Sequence, residues 1–365
     1  MEIARSLCTG LCAAAVGMAA LTLSQTGVPA QTQGPSSYRL AEPWAKMPQG
    51  REVGAVGKLT MSLDGNSIWA VVRCGAPPGE VALKAPEKTP GLFGTECLKS
   101  DLDSVFQFDL NGNVMRSFGS GLFIWPHGIG VDPEGNIWVT DAVSAANLPA
   151  GDKRGQQVIK FSPDGKVLLT IGTPGVGGGG KDRLTSPSDL AFTKEGDVLI
   201  ADGHNNDGNN RVIRFTKDGK YVSEFGKTGW APGEFRGLHA IAVDDDGRIY
   251  VGDRGNNRIQ LFKPDGTHIN TWYQFGKPSG IFIAGKTIYV ADSESDNVQN
   301  PGFEMGIRIG EIDTGWVREF IVFPWGNPNY TLGTGAEFVT VDRNGNIYGG
   351  EPVTRNIQKY FRVRP

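Results

Sequence analysis

Histidine and cysteine are scarce in this chain, which carries four of each in 365 residues. Cys8 and Cys12 fall in the apolar stretch near the start. The other pair, Cys74 and Cys97, has no Cys-x-x-Cys spacing, which speaks against a metal-binding thiol pair. Runs of basic residues are absent too, and the formal net charge is -3 at pH 7, so nucleic acid and anionic membrane surfaces are not expected partners. No Gly-x-Ser-x-Gly elbow is present on which to build a Ser-His-Asp triad. The glycine run Gly177 to Gly180 opens no helix, which removes a nucleotide-loop reading. Beyond residue 30 no apolar run approaches the about 20 residues of a membrane-crossing helix. No helical periodicity of useful length competes with strands.

The start of the chain reads as an export signal. Arg5 supplies the positive end, Leu7 to Leu23 is apolar, and Val28-Pro29-Ala30 offers a small-x-small cleavage pattern. The expected organisation is a signal peptide over 1–30, an N-terminal segment over 31–52 and a folded body over 53–365. A retained N-terminal anchor is the alternative. Export implies a periplasmic or extracellular location without a membrane span once the signal is removed. In such an oxidising compartment a disulfide between Cys74 and Cys97 is the default, stapling the proline- and glycine-containing loop Gly75 to Glu96.

One unit recurs along the rest of the chain: an apolar strand ending near Asp, a tight turn with Gly, a second strand of the type Asn-Ile-Tyr-Val, and a turn at Asp. The clearest copies run from His127 to Asp141 and from His239 to Asp253, and others begin near Gly57, Ser188, Ser279 and Glu337. A third alternating strand follows, as in Val158 to Phe161, Arg211 to Phe215 and Arg258 to Phe262. Asp-Gly pairs such as Asp164-Gly165 then lead into a fourth strand such as Tyr221 to Phe225. The expectation is an all-β, six-bladed β-propeller of four-stranded antiparallel blades. The last copy ends at its third strand, Ile357 to Phe361, so a strand from around Tyr38 to Met47 should close the ring and remove an exposed edge. Long loops are expected at 75–96, 142–156 and 172–183, and loops of that length are usually functional or mobile.

The segments Trp125-Pro-His127-Gly, Ala201-Asp-Gly203 and Asp253-Arg254-Gly-Asn-Asn-Arg258-Ile-Gln-Leu-Phe262 resemble NHL repeats. More narrowly, the chain from roughly Val53 to Phe361 looks like the peptidyl-alpha-hydroxyglycine alpha-amidating lyases. The placement of histidine sharpens the likeness. His127 and His239 stand in the same register, eight residues before the turn glycines Gly135 and Gly247, at the start of the innermost strands of blades two and four. In blade six that register holds Glu337, eight residues before Gly345. Alternate blades of a six-fold ring put three such side chains at the corners of a triangle. A His, His, Glu set with an open fourth position is a known arrangement for catalytic zinc. Hydrogen bonding across a wet channel is the alternative.

The resemblance implies further roles. The family has histidine at all three corners, so Glu337 is a departure. Arg73, ending the second strand of blade one, and Arg254, just after the blade-four aspartate, match family arginines that hold substrate charge; bracing loops or pairing with nearby acids such as Asp253 is the alternative. The family's tyrosine base after Asp-Gly in blade three is replaced by His204, which could act as base near neutral pH or be a solvated loop residue. The family's calcium ligand follows the third histidine, and here that residue is Phe338, so bound calcium is not expected. His268 looks like plain surface.

The implied activity is cleavage of a carbinolamide N–C bond to an amide and glyoxylate or a related aldehyde, acting on a small-molecule or peptide substrate at the channel mouth of a monomer. Two alternatives remain open. One is a propeller hydrolase such as a lactonase. The other is a non-enzymatic propeller binding a peptide, glycan or protein, with Trp230, Trp316 and Trp325 available for stacking.

Overall fold

The computed structural model describes residues 37–41, 44–75, 94–204, 208–323, 335–352 and 354–363. The expected export signal, most of the loop 75–96 and Trp325 lie outside them. Among the described residues no helix is long and apolar enough to cross a membrane.

The described residues form six antiparallel four-stranded sheets, five of which take four consecutive strands in order from the axis outwards. An N-terminal strand, β1 (Tyr38–Ala41), precedes blade one. Blade one is β2 (Val56–Met61), β3 (Ser67–Val72), β4 (Val105–Asp109) and β5 (Val114–Phe118). Blade two is β6 (Pro126–Val131), β7 (Ile137–Asp141), β8 (Gln157–Phe161) and β9 (Val167–Ile171). Blade three is β10 (Pro187–Phe192), β11 (Val198–Asp202), β12 (Arg211–Phe215) and β13 (Tyr221–Phe225). Blade four is β14 (Leu238–Val243), β15 (Ile249–Asp253), β16 (Arg258–Phe262) and β17 (His268–Trp272). Blade five is β18 (Pro278–Ala284), β19 (Thr287–Asp292), β20 (Gly306–Glu311) and β21 (Val317–Val322). Blade six is β22 (Phe338–Val341), β23 (Ile347–Glu351) and β24 (Asn356–Arg362), and β1 pairs with β24 as its outermost strand. The ring is thus closed by hydrogen bonds between the two ends of the propeller.

Each inner hairpin is set by its own sequence. Asp132 takes the backbone N–H groups of Glu134 and Asn136 at 3.0 and 2.9 Å, and Asp244 and Asp342 repeat the pattern. Gly135, Gly247 and Gly345 follow with φ of 87°, 82° and 80°, a conformation that a Cβ would strain. The second carboxylate oxygen accepts from the ring of the next strand: Trp138 Nε1 at 2.9 Å, and the Tyr250 and Tyr348 hydroxyls at 3.0 Å. Apolar residues of the inner and middle strands fill the seams between neighbouring blades, as where Trp138 and Val158 of blade two meet Leu190 and Ile200 of blade three. Such burial is the main term holding the ring together. Cys74 and Cys97 are disulfide-bonded. His268 begins an outer strand, half-buried, with Nε2 2.9 Å from Thr271 Oγ1. Trp230 and Trp316 are exposed.

Candidate metal centre

The innermost strands deliver six equivalent positions to one end of the channel. Gly57, His127, Ser188, His239 and Ser279 each follow a residue paired with the end of the second strand, at the point where the ladder slips out of register. Glu337 is the matching residue just ahead of β22, with its N–H bonded to Gly350 O at 2.8 Å. A bulge at this point turns the side chain away from the sheet face and towards the axis. Large residues alternate with small ones around the ring, and the small ones make room. A Cβ on Gly57 would stand 2.5 Å from the His127 carbonyl oxygen.

The small residues also orient the imidazoles. His127 Nδ1 lies 2.7 Å from Ser188 O, and His239 Nδ1 lies 2.5 Å from Ser279 O, each the carbonyl of the next blade. A carbonyl only accepts, so each Nδ1 carries the hydrogen and each Nε2 of a neutral ring presents a lone pair to the centre. Burial holds both rings well below the ordinary histidine pKa, which fixes this neutral form. Glu337 Oε1 stands 3.0 Å from His239 Nε2 and 3.9 Å from His127 Nε2. Burial opposes ionisation of Glu337, but the permanent charges of Arg73 and Arg254 beside it favour the carboxylate and its pKa lies below the usual value. A carboxylate oxygen and an imidazole lone pair so close together repel unless a cation or a proton lies between them.

His204 joins this group. Its ring lies 4.7 Å from that of His127 and 4.9 Å from that of His239, and one ligand atom from each of His127, His204, His239 and Glu337 falls within 4.8 Å of the others. Three imidazoles and a carboxylate suit zinc. Donors at the roughly 2.0–2.1 Å usual for zinc stand about 3.3 Å apart, and the 3.0 and 3.9 Å separations bracket that spacing. The residues present are therefore a candidate metal site whose donor types suit zinc.

Two arginines flank the carboxylate. Arg73 and Arg254 occupy the same register, one residue past the second strand, in blades one and four, which face each other across the ring. Arg73 is fully buried, donates from Nε to Pro126 O at 3.0 Å, lies over the Trp125 ring at 4.5 Å and reaches Glu337 Oε2 at 3.9 Å. Arg254 Nη1 is 3.6 Å from Glu337 Oε1. The motif reading missed Glu96, whose Oε1 is 3.9 Å from Arg73 and whose carboxyl is pushed up by burial. Phe338, noted from the sequence only as standing where the family has a calcium ligand, stacks on His239 at 5.1 Å and lies edge-on to His127 at 5.4 Å. Below them Lys58 Nζ donates to Asp189 Oδ1 at 2.6 Å and Leu190 O at 3.1 Å. The channel is thus floored by an aromatic ring and an ion pair.

Similarity to known proteins agrees with this fold. The NHL repeat model matches residues 235–262. A probable peptidyl-alpha-hydroxyglycine alpha-amidating lyase of Caenorhabditis elegans is 27% identical over 209 residues, 56% of this chain and 55% of that protein. NHL repeat-containing protein 3 of Homo sapiens is 35% identical over 163 residues, covering 43% of this chain and 44% of that protein. The peptidylglycine alpha-amidating monooxygenase of Rattus norvegicus is 31% identical over 163 residues, 42% of this chain and 15% of that protein. The chain therefore spans only part of the length of the relatives it matches. Among solved structures, a gluconolactonase from Xanthomonas campestris superposes with a TM-score of 0.55 at 13% identity over 90% of this chain and 97% of that one, a likeness of fold alone. The chain is a six-bladed propeller with an NHL repeat that resembles, over part of its length, the peptidyl-alpha-hydroxyglycine alpha-amidating lyases.

Proposed function

We propose that this propeller is an exported zinc-dependent carbon–nitrogen lyase that splits a carbinolamide into an amide and glyoxylate or a related aldehyde. The observation that carries the reading is the convergence of three imidazoles and Glu337 between two arginines. His127, His239 and Glu337, on three alternate blades, would hold the ion. Zinc bound there would supply a Lewis acid for the substrate oxygens. Because one corner is a carboxylate instead of an imidazole, the charge presented to substrate is smaller than with three neutral rings.

The chain's own groups divide the remaining tasks. Arg73 and Arg254 supply the positive charge that draws the substrate carboxylate to the mouth, and guanidinium suits that planar anion. His204 stands on a loop, outside the strand register, and takes the hydroxyl proton. As that proton leaves, the carbon–oxygen double bond forms and the carbon–nitrogen bond breaks. The amide nitrogen then takes that proton back from His204, which restores the neutral base. Phe338 and Trp125 shield the ring nitrogens from bulk water, which strengthens each charge interaction inside. The inferred export rests on the N-terminal pattern together with the disulfide.

Incubating zinc-loaded protein with N-benzoyl-α-hydroxyglycine should release glyoxylate faster than the spontaneous reaction, and no release above that background overturns the reading. His204→Ala separates base from ligand: the variant should keep its zinc but lose about a hundredfold or more in kcat. Loss of zinc in that variant would make His204 a fourth ligand instead. Because burial keeps both inner histidines neutral, protons compete for the donors only well below their ordinary pKa of 6.5. Zinc should therefore stay bound through dialysis at about pH 6, where an ordinary exposed imidazole is already mostly charged. Release at or above that pH would contradict the assignment.

A further inference from the structure

Six charged side chains of alternating sign run in a line across the channel mouth. Glu96 Oε1 is 3.9 Å from Arg73, Arg73 is 3.9 Å from Glu337, and Glu337 is 3.6 Å from Arg254. Arg254 Nη1 is 2.9 Å from Glu294 Oε1, and Glu294 Oε2 is 3.5 Å from Lys277 Nζ. Exposure changes along the line: the side chains of Glu96, Glu337 and Glu294 are 3%, 10% and 29% exposed, whereas Arg254 and Lys277 stay near 10% and 9%. The outermost carboxylate is thus the one in reach of solvent, while the two cations it bridges are buried. Burial lowers the pKa of Lys277, and Glu294 is the carboxylate that resists that shift most.

The backbone beneath both partners of the outer ion pair is fixed on Asp292. Asp292 Oδ1 accepts the N–H groups of Glu294 and Ser295 at 3.3 and 2.9 Å, so the main chain beneath Glu294 is fixed and only its side chain has to turn out. Lys277 is anchored through its own N–H, which donates to Asp292 Oδ2 at 3.0 Å. Glu294 also stands in the register of His204, two residues past the second strand, on the other side of blade four. An ion pair with one partly exposed partner is weakly held and readily exchanged.

We propose that Arg254 and Lys277 form a carboxylate subsite at the rim of the mouth, and that Glu294 fills it as an internal stand-in until the carboxylate of an acylated glycine or a small oxo-acid displaces it. Each oxygen of the Glu294 carboxylate faces a different cation, the bridging geometry an incoming carboxylate would adopt. Lys277 is thereby a specificity-determining residue for an anionic ligand, and Glu294 sets the threshold such a ligand must overcome. The inference rests on the anion-binding half of the proposed function but not on its bond cleavage.

Calorimetric titration of the full chain with hippurate, glyoxylate and uncharged hippuramide tests it, and because hippurate has no hydroxyl to lose, absence of lyase turnover does not affect the result. Glu294→Gln should tighten hippurate about tenfold and leave hippuramide unchanged, and adding Lys277→Met should reverse the gain. Tightening of glyoxylate as well would extend the subsite to the free oxo-acid. Unchanged or weaker hippurate binding in Glu294→Gln, at an unfolding temperature matching the parent, overturns the proposal. So does equal tightening of hippurate and hippuramide.

Discussion

His239→Ala is expected to abolish zinc retention and to lower kcat/KM for glyoxylate release by at least about a thousandfold. The side chain is fully buried and its Nδ1 is fixed on Ser279 O, which aims Nε2 at the centre. Its nearest polar partner across the centre is Glu337 Oε1 at 3.0 Å, which without the imidazole faces a void. His127→Ala should behave alike, since its Nδ1 is fixed in the same way on Ser188 O. Zinc content and single-turnover rates, measured beside an unfolding temperature, check the pair. A variant that retains both metal and activity would remove the histidines from the site.

Glu337→Ala should cost about 3–5 kcal/mol of stability in the metal-free protein, the usual penalty for stripping one partner from a buried ion pair. Glu337 stands between Arg73 at 3.9 Å and Arg254 at 3.6 Å. Removing it leaves Arg73, fully buried, with Glu96 as the single carboxylate within salt-bridge reach among the described residues. Zinc should restore little of the loss, because the same change deletes a ligand. Chemical denaturation with and without chelator measures this. A loss below about 1 kcal/mol would mean that the arginines are solvated and that Glu337 does not organise the mouth.

These two residue types were legible in the sequence for a simple reason: both lie in the strand–turn–strand unit, whose spacing is dictated by the Asp turn and its glycine. The same spacing yields the third strands at Val158, Arg211 and Arg258, and the unfinished last copy points to the segment from Tyr38 to Met47, within which Tyr38–Ala41 is the closing strand. His204 follows a strand end but lies on a loop, so its distance of 4.7 Å from the His127 ring depends on how blade three packs against blade two. Glu96 reaches the site from a loop held by the Cys74–Cys97 disulfide, and no repeat position marks it. No repeat position marks Lys277 or Glu294, which meet each other and Arg254 through the packing of blades four and five. Phe338 was noted as a missing calcium ligand, whereas its stacking on His239 comes from the ring geometry. Positions inside the repeat are thus visible from spacing, and those fixed by contacts between blades are not.

The most direct test of the metal centre is elemental analysis by mass spectrometry of tag-free protein purified without added metal, beside the His127→Ala and His239→Ala variants. The account predicts about one zinc per chain in the parent and none in either variant. Parent protein that carries no metal and takes up none on titration with zinc would contradict it, and would leave the four-donor cluster a hydrogen-bonded feature of the channel.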